Sequence, residues 1–129
     1  MFVETMLMPS ENKVRIFLIL SLSLISPIGY SAERDVNKAW CSSVGGNIEF
    51  RTKDGTYVDC LTSEYAIEAE YDNKWKEGIG QSLHYAESTN KKAGILFIKR
   101  AKSRKDYYNE MMRVINRYDL PIRVFVTEE

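Results

Sequence analysis

The stretch Thr56–Ala86, TYVDCLTSEYAIEAEYDNKWKEGIGQSLHYA, constrains this chain more than any other. It opens with two short runs, Thr56–Thr62 and Tyr65–Tyr71, rich in the Tyr, Val, Ile and Thr that suit a pleated surface. Only Ser63-Glu64 separates them, so they read as neighbouring antiparallel strands. Period 2 puts Glu68 and Glu70 on one face of the second run and Tyr65, Ile67, Ala69 and Tyr71 on the other. A two-residue loop pairs Thr62 with Tyr65, and counting outward sets Asp59 opposite Glu68. Directly paired residues have Cβ atoms about 4.5–5.5 Å apart. Asp59, Glu68 and Glu70 then crowd one patch, and such crowding is relieved by a divalent cation or by raised pKa values.

The rest of the stretch reads as a helix running to about Glu87, capped by Asp72-Asn73. Trp75, Ile79, Leu83 and Ala86 recur at helical spacing as its apolar stripe. Gln81 and Tyr85, at i and i+4, share a face, and Lys74 and Lys76 lie in the first turn. Gly78 and Gly80 weaken the helix but allow close approach to a sheet.

Asp59, then Glu68-Ala69-Glu70 on the next strand, then Gln81-Ser82-Leu83-His84-Tyr85-Ala86 on the following helix, resembles the PD-(D/E)xK nuclease superfamily over about Arg34 to Phe125. Two positions depart from that pattern: Val58 stands where the proline is common, and Glu70 stands where the lysine belongs. The resemblance implies a restriction-endonuclease-like fold, with Asp59, Glu68 and Glu70 holding Mg²⁺ or another divalent cation for phosphodiester hydrolysis. It also implies a role for Gln81 at the scissile phosphate or water. Lys74, or alternatively Lys76, would supply the ammonium missing at Glu70; otherwise Glu70 would hold a second cation. Should the site be degenerate, the same fold would serve as an exported binding module.

A length of 129 residues leaves room for one domain with a modest core. Residues 1–31 read as a secretory signal peptide: Lys13 and Arg15 precede the apolar run Ile16–Ile25, and Gly29 and Ser31 offer small residues at a cleavage point. The run is short for a membrane span, which takes about 20 residues, so residues 32–129 are expected as the exported domain. Lys and Arg number 18, as do Asp and Glu, and the signal segment holds two of each, so net charge draws the domain toward no partner class.

Cys41 and Cys60 form an even pair, and in an oxidising compartment they are expected to bridge, the alternative being two buried thiols. Period 2 sets Cys60 on the face opposite Asp59, so a bridge would fasten the back of the sheet.

Glu33–Ser43 reads as a helix stopped by Gly45-Gly46, and Asn47–Thr52 as the first strand, turned back at Lys53-Asp54-Gly55. A two-residue turn pairs Glu49 with Cys60; a three-residue turn with a glycine bulge pairs it with Asp59. Ala93–Ile98, AGILFI, reads as a strand covered on both faces. The segment Lys91–Lys105 around it has no acidic residue, and Lys99, Arg100, Lys102 and Arg104 are its candidate nucleic-acid contacts. Asp106–Tyr118 reads as a helix with Tyr107, Met111, Val114 and Tyr118 on one stripe, and Ile122–Thr127 as a last strand. The order helix, three strands, helix, strand, helix, strand predicts an α/β fold with a mixed central sheet flanked by helices.

Overall fold

A computed structural model describes residues 28–129, of which Ser31–Glu129 form one compact unit. The signal segment expected over residues 1–31 lies outside the described residues except at its last positions, which are helical.

The elements follow the expected order: helix α1 (Ile28–Ser43), strands β1 (Asn47–Arg51), β2 (Tyr57–Leu61) and β3 (Tyr65–Tyr71), helix α2 (Trp75–Thr89), strand β4 (Lys92–Lys99), helix α3 (Tyr107–Arg117) and strand β5 (Ile122–Glu128). The five strands make one mixed sheet in the order β1-β2-β3-β4-β5. β1 to β3 are an antiparallel meander, and β3, β4 and β5 run parallel. Because both parallel crossovers step the same way across the sheet, their shared right-handedness puts α2 and α3 on one face. The other face is left for α1.

Burial follows from this layering. β4 is buried from Ala93 through Ile98, as a strand sandwiched between helices must be. On the α1 side, Ile67, Ala69, Tyr71, Leu96 and Ile98 pack with Cys41 and Cys60, flanked by Val36 and Trp40. On the other side, Ile95 and Phe97 pack against Trp75 of α2 and Met111 and Ile115 of α3. The expected bridge is present: Cys41 and Cys60 form a disulfide, both fully buried. Gly46 lies against it so closely that a Cβ there would stand 2.5 Å from Cys60 Sγ and 2.7 Å from Cys41 Sγ.

Several local expectations need correction. Asp72 does not cap α2: Asp72–Lys74 form a 3₁₀ turn, and no side chain caps the helix start. The buried stripe of α2 is Trp75, Gly78, Ser82 and Tyr85, displaced from the Ile79–Leu83–Ala86 line. Small residues there let the helix sit low on the sheet, so the larger aliphatics turn to its flanks. Gly78 is the point of contact, since a Cβ on it would stand 3.2 Å from Glu70 Cγ, whereas Gly80 faces open space. In α3 the buried pair is Met111 and Ile115, and Tyr118 is 66% exposed because the helix has ended before it.

Candidate functional site

The hairpin register places the acidic residues. Thr62 N–H donates to Tyr65 O (2.9 Å), and Leu61 pairs with Ala66 and Cys60 with Ile67, as a two-residue loop requires. The next pair in that frame is Asp59 with Glu68, but the ladder stops at Cys60. There β2 leaves β3, and the Asp59 carboxylate replaces the lost main-chain partner: Ala69 N–H donates to Asp59 Oδ2 (2.9 Å). Asn37 of α1 holds the same turn of chain from the other side, its Nδ2 donating to Asp59 O (3.0 Å). Asp59 is thereby fixed by both neighbouring elements.

Glu68 and Glu70 follow on the α2 face of β3, each only 6% exposed. In the amide orientation that satisfies the site, Gln81 Nε2 donates to Glu68 Oε1 (3.0 Å) and Glu70 Oε1 (3.1 Å). Asp59, Glu68, Glu70 and Gln81 are thus brought together. Glu68 Oε2 is buried with no hydrogen-bond partner among the described residues if the carboxyl is ionised. Burial, with the Asp59 and Glu70 charges alongside, pushes the Glu68 pKa up to about 10. Glu70 is raised to about 8, first by burial and then by Glu33 and Glu77. Asp59 is raised as well, by burial, while the Ala69 N–H and the Glu68 carboxyl act to hold its charge. The physical reading is a pair sharing a proton: Glu68 carries it at neutral pH and offers it to Asp59.

Lys74, in the 3₁₀ turn, is exposed, and its charge favours the ionised forms of Glu33 and Glu70. It is therefore the cation nearest in effect to the position where the superfamily pattern has lysine. Lys76 instead stacks over Trp75 at 5.6 Å. Tyr85 is buried beside the site and its hydroxyl pKa is raised, by burial and then by the Glu68 and Asp59 charges.

Glu33 is the site residue that the sequence reading missed. It comes from α1, is raised chiefly by burial, and in turn raises Glu70 and Glu68. The available clue was its place one turn before Asn37, so that both face the sheet from one side of α1. Glu49 stands opposite Asp59 in the β1–β2 frame, as the three-residue turn requires. Its carboxylate is nonetheless taken by Arg34, at 2.8 and 3.0 Å, on the exposed surface. Glu49 sits at φ 54°, a left-handed backbone that breaks the ladder between Ile48 and Phe50.

Among the described residues no three His, Cys, Asp or Glu side chains are arranged to hold a metal ion. Burial and the mutual repulsion of Asp59, Glu68 and Glu70 favour the protonated form of the Glu68 carboxyl. Their chemistry still fits a hard divalent cation: oxygen donors, one of them a buried carboxylate oxygen without a partner, gain charge once Glu68 is deprotonated.

The basic segment Lys91–Lys105 does not form one patch. The buried strand β4 divides it, placing Lys91 and Lys92 at one end and Lys99 onward at the other, about 25 Å apart for eight residues. Lys91 Nζ donates to Ser63 O (2.8 Å), at the hairpin loop. Arg100 is turned inward, its Nε 2.6 Å from Oδ1 of Asp72, whose side chain is 2% exposed. Lys99 lies 3.9 Å from Glu128, and Lys105 3.2 Å from Glu110. Lys102 and Arg104 are exposed and have no carboxylate partner among the described residues. This cluster sits at the carboxyl end of β4, the same sheet end as Glu70.

No family model and no solved structure matches the chain. It is 36% identical over 77 residues to a protein of Acanthamoeba polyphaga mimivirus named as KilA-N domain-containing protein L32. That match takes in 60% of this chain and 20% of the relative, so the chain spans about a fifth of the length of the relative it matches.

Proposed function

We propose that the domain is a divalent-metal-dependent nuclease of the PD-(D/E)xK kind, hydrolysing phosphodiester bonds of DNA or RNA after export. The observation that carries this reading is the convergence of Asp59, Glu68, Glu70 and Gln81 where β2 parts from β3. The mixed sheet and element order are those the superfamily resemblance implies. The buried disulfide supports an oxidising compartment.

Asp59 and Glu68 would hold the ion, with Glu70 beside them. Bound there, Mg²⁺ or a similar cation would lower the pKa of a water and neutralise charge on the phosphate. Gln81, already donating to both glutamates, orients their carboxyl groups and keeps an N–H at the site. Lys74 supplies the nearby positive charge that Glu70 cannot. Before any cation binds, Glu68 must release its proton, so binding is coupled to pH.

The test is cleavage of single- and double-stranded DNA and RNA by purified protein, with and without Mg²⁺ or Mn²⁺. Wild type should cut only with metal, and Asp59→Ala and Glu68→Ala should lose the activity. Cleavage that survives in both variants would reject the assignment.

A second reading has its own observation: Glu70 replaces the lysine, and no three-ligand metal arrangement stands ready among the described residues. In that reading the domain is a degenerate nuclease fold that binds without cutting. Metal or nucleic-acid binding by wild type, with no cleavage under any metal, would favour it.

A further inference from the structure

A cavity of about 530 Å³ lies outside the acidic site, between the carboxyl ends of β4 and β5 and the start of α3. Its walls include Phe97, Val126, Tyr107, Tyr108 and Arg104. Phe97 and Tyr108 meet edge to face, their ring centroids 5.7 Å apart, and Tyr108 is 40% exposed. Phe97 is itself buried, so Tyr108 is the aromatic face open to a flat ring.

The charges in the cavity are largely spoken for. Asp72 is held by Arg100, and the Asp106 carboxylate caps α3 by accepting from Asn109 N–H (3.1 Å) and Asn109 Nδ2 (2.6 Å). Glu128 lies beside Lys99, and Lys105 is paired with Glu110. Among the lining cations Arg104 alone has no carboxylate within ion-pair distance among the described residues, so its guanidinium can take a phosphate, while the ionised Asp106 balances its charge in the lining as a whole. Its size suits a drug-sized molecule.

The cavity is aligned with the acidic site. Glu70, Phe97 and Val126 are register partners in one row across β3, β4 and β5. Two strand spacings separate Glu70 from Val126, about 10 Å. A single extended nucleic-acid strand covers that reach.

We infer that this cavity is a nucleotide subsite, in which Tyr108 receives an unstacked base and Arg104 its phosphate, next to the acidic site of the same strand. The inference rests on the nuclease reading for its substrate and adds a class to it. A base must leave its duplex partner to enter such a cavity, so the substrate is single-stranded or unpaired beside the cleaved bond.

The test is calorimetric titration of the full chain, without metal, with adenosine 5′-monophosphate and with ribose 5-phosphate. The nucleotide should bind, and the sugar phosphate should bind at least about tenfold more weakly. Tyr108→Ala and Arg104→Ala should each weaken nucleotide binding about tenfold. Both side chains are exposed, so thermal melting should confirm that the variants stay folded. Asp59→Ala should leave binding unchanged. No binding, equal binding of ribose 5-phosphate, or indifference to both variants overturns the subsite. The nuclease reading fails separately: a protein that binds the nucleotide but never cleaves retains the subsite and loses the activity, and one that cleaves yet ignores the nucleotide does the reverse.

Discussion

Glu68 is where burial and charge meet most sharply, and its protonation should be measurable. With the folded pKa near 10 and Glu70 near 8, against an ordinary 4.5, the folded protein binds more protons than the unfolded chain between those values. Stability contributed by these two groups is therefore full below about pH 4.5 and is lost as pH rises toward 8 to 10. In metal-free buffer the melting temperature should fall across that window. Glu68→Gln, which keeps the shape and removes the charge, should flatten the fall and raise stability at pH 9; an unchanged pH profile would mean that Glu68 is already ionised. Arg100 presents the opposite case. Sequence alone makes it a candidate phosphate contact, but its Nε is 2.6 Å from the buried Asp72 carboxylate. Arg100→Ala should cost about 2 kcal/mol in urea unfolding, because a buried carboxylate loses its charged partner. Lys102→Ala, on the open surface, should stay within about 0.5 kcal/mol.

At the scale of elements, the disulfide joins the helix that carries Glu33 and Asn37 to the strand that carries Asp59. With 19 residues of separation, its loss should destabilise the fold by about 3 kcal/mol in the chain-entropy picture. The double variant Cys41→Ser, Cys60→Ser should show that loss in denaturant unfolding. If the nuclease reading holds, reductant should inactivate wild type at temperatures where the fold persists, because α1, whose Asn37 holds the Asp59 carbonyl, is no longer pinned to β2. Full cleavage in reductant by protein shown to be reduced would refute this link. The two faces of β2 explain why the bridge can act this way without touching the site: Cys60 packs toward α1, while the neighbouring Asp59 carboxylate takes the Ala69 N–H beside Glu68.

Across the whole molecule, charge is balanced and only its arrangement distinguishes one side from another. The division of Lys91–Lys105 by β4 leaves Lys99, Arg100, Lys102, Arg104 and Lys105 at the sheet end shared with Glu70, and of these Lys102 and Arg104 have no carboxylate partner among the described residues. Nucleic-acid affinity, where it exists, should fall with salt, and Lys102→Ala or Arg104→Ala should each reduce the log–log slope by about 0.9 on duplex DNA. Lys91→Ala, at the opposite end, should leave the slope unchanged. A slope that responds equally to both ends would mean that the strand binds along the sheet face.

Much of this protein is legible in its local pattern. Alternation over Thr56–Tyr71 places the strands, and if the loop is only Ser63-Glu64 the register sets Asp59 beside Glu68; the structure has that loop, with Leu61 opposite Ala66 and Cys60 opposite Ile67. The even cysteine pair and the unbroken apolar run of β4 likewise point to the bridge and the buried strand that the structure has, although the pair alone left two free thiols as the alternative. Periodicity could not decide which residues of α2 face the sheet, because Gly78 and Ser82 are recognised as contacts only when the helix is seated on Glu70. Nor could it decide the partners of charges far apart in the chain. Arg100 meets Asp72, and Glu33 comes within electrostatic reach of Glu70, only after crossovers and layers have brought separate elements together. Short-range sterics and solvent preference act along the chain and can be read from it; long-range electrostatic pairing depends on distances that only the packed structure sets.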